Sequence, residues 1–253
     1  MITMERRDLI LSLLKEKDVV TVKRICEETK ASESTIRRDL TDLENKQIIK
    51  RVHGGGASLL KKKREEPTLI EKTTKNQREK NKIAEKAASF IEEGDSLYLD
   101  AGSSTMEIIP FLKDKSVVVV TNGIPHVQLL IEYDIETYVI AGKVKRGTAA
   151  LIGTKAVESI KEFRFDKCFL GGINGIHAEL GLTTPDPEEA SVKRTAMLQS
   201  QITYVLADPS KFGEVSFANV SEVSDVDIIT TVGIAEEHVT ELSKLTNIEV
   251  IAL

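Results

Sequence analysis

The chain has 253 residues, 41% of them hydrophobic and 30% charged, with a net charge of −5 and two cysteines. That composition is ordinary for a globular protein. Cys26 and Cys168 are far apart and in no CxxC spacing, which excludes a disulfide frame and a thiolate zinc site and argues for a reducing compartment. Apolar runs such as residues 117–120 are too short to span a bilayer, and the charged N-terminus is not followed by an apolar stretch. No membrane segment or signal peptide is therefore read, and the cytoplasm is the expected location.

Charge is uneven along the chain. Residues 1–64 hold 16 Lys and Arg against 10 Asp and Glu, which leaves 19 against 30 for residues 65–253. A basic head on an acidic body suits a polyanion partner for the head, although solvated helix faces give the same count.

Three helices are predicted in the head, residues 1–60. Residues 4–16 put Leu9, Ile10, Leu13 and Leu14 on one face. Thr21 reads as the cap of a short second helix with Val22, Ile25 and Cys26 turned inward, and Lys30 and Ala31 make a tight turn. Ser32 caps a third helix, "SESTIRRDLTDL", in which Ile36, Leu40 and Leu43 recur at helical spacing. This is a helix-turn-helix pattern. The first turn of a recognition helix needs short side chains. Ser32, Ser34 and Thr35 supply hydroxyls for phosphates or base edges, and Arg37 and Arg38 can fork onto guanine or clamp phosphate. The same serines serve equally as caps.

In "IIKRVHGGGASL", Ile48 and Ile49 begin a β-like segment, Lys50, Arg51 and His53 follow, and the glycines from Gly54 allow a tight reversal. That pattern reads as a wing laid along the DNA backbone or minor groove, with a flexible linker as the other reading.

Residues 61–93 read as linker and bridging helix. The basic cluster 61–64 either touches phosphates or is solvated. Pro67 breaks what precedes it, and a long helix is predicted from Thr68, with Ile83, Ala84, Ala87, Ala88 and Ile91 as its apolar edge.

The body, residues 94–253, alternates apolar β-branched runs with helical stretches. Strands are predicted at 96–99, 117–120, 137–140, 167–170, 203–206, 227–229 and 248–251. Their runs are nearly continuous, so a mostly parallel α/β sheet covered on both faces follows. Ligands of such sheets bind beyond the carboxyl ends of the strands. The first strand runs into "DAGSST" and a helix around Met106 to Leu112. Asp100, Gly102, Ser103, Ser104 and Thr105 suit phosphate there. Thr121 and Asn122, Lys143 and Arg146, Gly171 and Gly172, and Lys211 stand at the other turns. In "GLTTPDPEEASVKR", Asp186, Glu188 and Glu189 suit sugar hydroxyls and Lys193 suits phosphate, or the acids cap a helix. No GxxxxGK[ST] or GxGxxG occurs, and the four histidines form no metal spacing, so neither cofactor nor metal is expected.

Residues 4–58, with "ASESTIRRDLTDLE" and "KRVHGGG", resemble the winged helix-turn-helix of DeoR-family transcription regulators. "YLDAGSST", "VVVVTNG", "KCFLGGING", "GLTTPDPEEASVKR" and "LADPSKFG" are similar to the DeoR-type effector domain, which is related in fold to ribose-5-phosphate isomerase. The resemblance spans the chain. It implies an operator-binding repressor whose body senses a phosphorylated sugar without turning it over. "LDAGSST", "TPDPEEA" and "FDKCFLGG" resemble Gram-positive fructose-operon repressors most, which implies fructose 1-phosphate as effector. At 141–143 this chain has "AGK" where many members have two glycines, so how that loop meets a ligand is an open point. A symmetric oligomer on repeated half-sites is expected.

The competing reading is a phosphosugar isomerase with a DNA-tethering head. Proton transfer needs a carboxylate base near the substrate carbon. Asp186, Glu188 and Glu189 are the only clustered candidates near a glycine-rich edge, and "INGIHAELGL" lacks paired acids, so no catalytic residue is assigned. A metabolite-binding module without a DNA role is set against the Arg37–Arg38 helix.

Overall fold

A computed structural model describes residues 3–17, 19–46, 48–52, 55–59, 66 and 68–253. The chain divides into two compact units, Met1–Lys62 and Lys63–Leu253.

The first unit holds α1 (Thr3–Glu16), β1 (Val20–Thr21), α2 (Val22–Thr29), α3 (Glu33–Asn45), β2 (Ile49–Val52) and β3 (Gly56–Leu59). Thr21 caps α2 by accepting from Arg24 N at 3.3 Å, and Lys30, at φ 55°, ends that helix in the left-handed region. Ser32 caps α3 by accepting from Thr35 N at 3.3 Å. Ile10, Leu14, Ile25, Ile36, Leu40, Leu43 and Ile49 close one core, each burial contributing roughly 1.5–3 kcal/mol. Buried Asp39 ties α3 to α1, accepting from Arg6 Nε at 2.6 Å and Arg7 Nε at 3.0 Å. Burial disfavours its charge, but the two arginines outweigh that and hold its carboxyl below the usual range. β2 and β3 pair antiparallel from Ile49↔Leu59 to Val52↔Gly56, which is the expected wing. β1 adds a third strand against β3, two residues long and invisible to periodicity.

The second unit begins with α4 (Leu69–Thr74) and α5 (Gln77–Ala88). The single long helix expected from Thr68 is thus two. Thr and Asn compete for backbone bonds and weaken a helix, and the break falls at "TTKN", where Asn76 is left-handed at φ 52°. Its side-chain amide donates to Asp208 Oδ1 at 2.9 Å, a tertiary contact that fixes the kink. The apolar edge of α5 lies in the body's core, with Ile83, Ala84 and Ala87 fully buried.

The body continues with β4 (Ser96–Leu99), α6 (Ser103–Met106), β5 (Val118–Thr121), α7 (Ile124–Glu132), β6 (Glu136–Val139), β7 (Lys143–Lys145), β8 (Ala150–Ile152), α8 (Thr154–Ile160) and β9 (Phe165–Leu170). Then come β10 (Gly175–His177), β11 (Gly181–Thr184), α9 (Pro187–Leu198), β12 (Ser200–Leu206), β13 (Ala218–Ser221), β14 (Asp227–Thr231), α10 (Glu236–Leu242) and β15 (Ile248–Ile251). All seven predicted strands form one sheet in the order β15-β14-β12-β9-β4-β5-β6, and every neighbouring pair is parallel. The helix expected around Met106 to Leu112 is instead α6 followed by a 3-10 turn, Ile109–Leu112, with Pro110 near its start. Two small antiparallel sheets, β10-β11-β13 and β7-β8, are built from the connections leaving β9, β12 and β6.

Candidate functional site

The outer face of the head is set by α3. At about 100° per residue, the buried Ile36, Asp39, Leu40 and Leu43 define one side, and Ser34 and Arg38 fall opposite. Arg38 is exposed and makes no ion pair or hydrogen bond among the described residues. Arg37 is already engaged, donating through Nε to Glu33 Oε1 at 2.8 Å. Ser32 is occupied as the cap, with Thr35 Oγ1 at 2.8 Å and Ser34 Oγ at 3.0 Å. Lys50 and Arg51 lie on β2, where Arg51 N donates to Glu44 Oε1 at 3.1 Å. His53 and Gly54 lie outside the described residues.

In the body the strand-end turns converge. A Cβ on Gly102 would stand 3.1 Å from Gly171 Cα and 3.2 Å from Gly172 N, so the loops after β4 and β9 touch backbone to backbone. The close approach that Gly102 permits is to its neighbour loop. Lys193 reaches in from α9 with only 2% of its surface exposed. Its Nζ pairs with Asp100 and donates to Gly171 O at 2.9 Å. Burial pushes the Asp100 carboxyl up to about 6, against the pull of Lys193. Burial also works against the Lys193 ammonium, but Asp100 and Glu189 outweigh it and hold Lys193 above its ordinary value. At neutral pH the two form a buried ion pair.

Several expected ligand groups are therefore taken by the protein itself. Thr105 Oγ1 lies 2.5 Å from Asp100 O, 2.9 Å from Gly102 O and 3.0 Å from His126 Nε2. The carbonyls only accept, so the hydroxyl proton goes to them and His126 donates from Nε2. Thr121 Oγ1 donates to Leu99 O at 2.7 Å. Asn122 accepts from Ala101 N at 2.7 Å and donates to Leu151 O at 3.3 Å, bracing three connections. By contrast Ser103 and Ser104, 6% and 8% exposed, make no side-chain hydrogen bond among the described residues.

A charged rim surrounds this edge. Asp186 caps α9 by accepting from Glu188 N at 2.8 Å, and it also meets Lys145 at 3.1 Å, so the cap and the site reading hold together. Lys145 further meets Glu189 at 3.2 Å and Glu66 at 2.5 Å. Burial would lower Lys145, but these carboxylates keep it firmly charged. Lys143 and Glu188 pair on the exposed side at 3.0 Å, and Arg146 is exposed. Gly142 of "AGK" has φ +147°, and a Cβ there would meet Ile152 O at 2.9 Å. The position that demands a glycine keeps one. Lys211 lies 3.9 Å from Asp208.

Sequence reasoning missed Glu66, Lys72, Lys80, Lys145 and His126. Lys80 is 4% exposed and donates to Lys72 O, with no carboxylate within ion-pair distance among the described residues. Burial pulls its pKa down; the charges of Asp208 and Glu107 work against that, and Lys211 and Lys72 work with it. It sits on α5, the helix that packs on α6 and its Ser103–Ser104 turn. A lysine in a helix of many charged residues carries no sequence sign of burial. His126 did carry a sign, as a lone histidine in the apolar "IPHVQLLI".

A winged helix-turn-helix with outward arginines, joined to a parallel α/β body whose strand edge gathers hydroxyls and charges, is the architecture of a DNA-binding transcription regulator with a sensing domain. The comparisons agree. Residues 6–62 match the DeoR-like helix-turn-helix domain, and residues 75–232 match the DeoR C terminal sensor domain. The chain belongs to the DeoR family of transcription regulators. It is 51% identical over 232 residues, 91% of this chain and 92% of the other, to a Bacillus subtilis (strain 168) protein described as an uncharacterized HTH-type transcriptional regulator FruR. It is 34% identical to the HTH-type transcriptional regulator GlpR of Haloferax volcanii, covering 92% of this chain and 91% of that one. It is 30% identical to the lactose phosphotransferase system repressor of Streptococcus mutans, covering 96% and 98%. Ribose 5-phosphate isomerase A of Methanocaldococcus jannaschii aligns over 54% of this chain and 55% of its own, at 17% identity and a TM-score of 0.41. The isomerase reading of the whole chain gives way to the regulator.

The buried pair is testable. Lys193→Met leaves a carboxylate uncompensated and should destabilise the body by about 3–5 kcal/mol. Adding Asp100→Asn should recover part of that in urea denaturation. Equal loss in the single and double variants would show that the charge pairing is not what Lys193 contributes.

His126 generates a pH prediction. Burial pushes it down to about 3, so it is neutral in the fold and protonates in the unfolded chain below its ordinary value. A lowered base favours folding above that value, and the contribution is lost as pH falls, at about 1.4 kcal/mol per unit. His126→Gln keeps a donor for Thr105 without titrating. Its stability should fall less steeply than wild type between about pH 6.5 and 4.5; parallel profiles would contradict the assignment.

Proposed function

We propose that this regulator represses a sugar-utilisation operon and that fructose 1-phosphate, bound at the strand edge, relieves repression. The observation that carries the ligand class is the pairing of two opposites. Ser103 and Ser104 offer nearly buried hydroxyls with no partner among the described residues, and Lys80, on the helix that packs against theirs, is a buried cation in no close ion pair among the described residues, with Asp208 and Glu107 acting on it only at longer range. Hydroxyls, turn amides and an ammonium outside any close ion pair suit a phosphate. Lys72 and Lys211 add positive charge at the same place. Asp186 and Glu189 stand at the other end of the rim and suit sugar hydroxyls, with Lys143, Arg146 and Glu188 outside them. Gly102, Gly171 and Gly172 give the turns their close packing. Asp100, Thr105, Thr121, Asn122 and Lys193 hold the loops in position. The name of the Bacillus subtilis relative favours fructose among phosphorylated sugars.

For DNA, Ser34, Thr35 and Arg38 present the outward face of α3, with Ser32 fixing its first turn and Arg37 released from Glu33 on contact. Lys50 and Arg51, on the wing strand, would follow the backbone, and His53 and Gly54, next in the chain and outside the described residues, are read with them as DNA contacts. One head reads few bases, so the working form is a symmetric oligomer on repeated half-sites. It acts on operator DNA in the cytoplasm, with no cofactor or metal. No helix among the described residues is long and apolar enough to cross a membrane.

Arg38→Ala should weaken operator binding by roughly 1–3 kcal/mol and relax specificity at one base pair if Arg38 reads a base; a phosphate contact would weaken all sequences alike and lower the salt slope. A salt titration that superimposes on wild type would remove Arg38 from the interface.

Fructose 1-phosphate should raise the melting temperature more than fructose 6-phosphate, glucose 6-phosphate or free fructose. At about 100 times its dissociation constant a ligand adds roughly 2.7 kcal/mol. Identical or absent shifts with all four would remove fructose 1-phosphate as the effector.

A further inference from the structure

Glu66 stands three residues past Lys63, where the second unit begins. It is the segment's anchor. Its side chain is 10% exposed, and its two carboxylate oxygens are held separately, by Lys72 Nζ at 2.6 Å and Lys145 Nζ at 2.5 Å. Burial alone would raise this carboxyl, but Lys72 and Lys145 hold it below its usual value. The helix that follows packs only lightly, against α6. α4 has no fully buried residue. Besides the Glu66 pairs it is tied by Leu69 N donating to Gly147 O at 2.9 Å and by Lys80 Nζ on Lys72 O. A six-residue helix without a buried face is not stable by itself, so these polar ties, together with its light packing on α6, keep the strap docked.

The two lysines that hold Glu66 also belong to the ligand rim. Lys145 carries Asp186 and Glu189 at 3.1 and 3.2 Å. Glu189 is one helical turn from Lys193, which holds Asp100 and Gly171 O. Lys72 is close enough to Asp100 to favour its ionised form. With Glu66 docked, the amine of Lys72 is satisfied by a carboxylate of the chain itself. A phosphate arriving at Ser103, Ser104 and Lys80 carries up to two negative charges and more acceptor oxygens than that carboxylate. It repels Glu66 and competes for Lys72, while Lys145 keeps Asp186 and Glu189 as partners.

We propose that Glu66 is a built-in competitor for the ligand's anionic group, so that binding ejects it from Lys72 and undocks the strap that leads to the DNA-binding unit. The inference rests on the phosphate reading of the strand edge, and concerns how that site is coupled to the rest of the chain. A ligand shifts such an equilibrium only by its differential affinity for the two states, and displacement of Glu66 supplies that difference.

The test uses the full chain, wild type and Glu66→Gln, with Glu66→Ala as a second variant should the amide keep the strap docked. Two probes are titrated by calorimetry, fructose 1-phosphate and inorganic phosphate, and hydrogen exchange is followed by mass spectrometry over residues 66–76. Without a competitor, Glu66→Gln or Glu66→Ala should bind fructose 1-phosphate at least about fivefold more tightly, the lower end of ordinary couplings. Both variants should exchange faster over 66–76 without ligand, and wild type should reach that rate only with ligand. Equal affinity in all three proteins, or ligand that slows exchange over 66–76 in wild type, overturns the competitor role while leaving the sugar reading intact. Tighter binding of inorganic phosphate by the variants, with no fructose 1-phosphate binding by any protein, supports the competitor role and removes the sugar assignment. If no protein binds either probe, both fall.

Discussion

The body depends on one buried contact, the ammonium of Lys193 between the Asp100 carboxylate and the Gly171 carbonyl. A charge removed from water must be paired and hydrogen-bonded. That demand fixes where α9 enters, and it pins the ends of β4 and β9 against each other. The two glycine turns can then meet backbone to backbone, an approach that a side chain at Gly102 would crowd. Every other feature of the strand edge is arranged around this knot. Asn122 and Thr105 brace the loops from one side, and Glu189, one turn back along α9, turns the same helix toward Lys145 on the other.

The consequence is a division of labour among polar residues of similar chemistry. Asp100, Thr105, Asn122 and Lys193 spend their hydrogen-bonding capacity inside the protein and make the edge rigid. Ser103, Ser104 and Lys80 are held in position by that rigid frame with capacity left over. Pre-organised groups of this kind bind without first being ordered. The head shows the same division: Ser32 and Asp39 build α3 into its unit, whereas Ser34 and Arg38 face away from the core.

The five inner strands of the main sheet were legible because strands covered on both faces are nearly continuous apolar runs, the exposed edge strands β6 and β15 were legible from their β-branched residues, and all seven took their places in one parallel sheet. The head was legible because its caps and its 3.6-residue periodicity agree: Thr21 and Ser32 cap where the apolar spacing begins. The break between α4 and α5 was not, since an alternating charged run satisfies a helix pattern on either side of Asn76, and the contact that bends it comes from Asp208, far along the chain. The small antiparallel sheets escaped for another reason. Strands of three or four residues such as β7 and β10 offer too few positions for any period to show.

What the sequence determined by itself was the kind of each element and the edge at which chemistry gathers, because periodicity, caps and glycine turns are local properties. What only the tertiary structure decided was which side chain of a type is spent and which is available. Lys193 and Lys80 are both lysines on helices, and both are almost fully buried. One is paired directly with a carboxylate across the sheet edge and the other donates to a carbonyl, with carboxylates only at longer range. Partnership between residues as distant in the chain as Asp100 and Lys193, or Glu66 and Lys145, is set by how helices, strands and connecting segments meet in space, and no local pattern encodes that meeting.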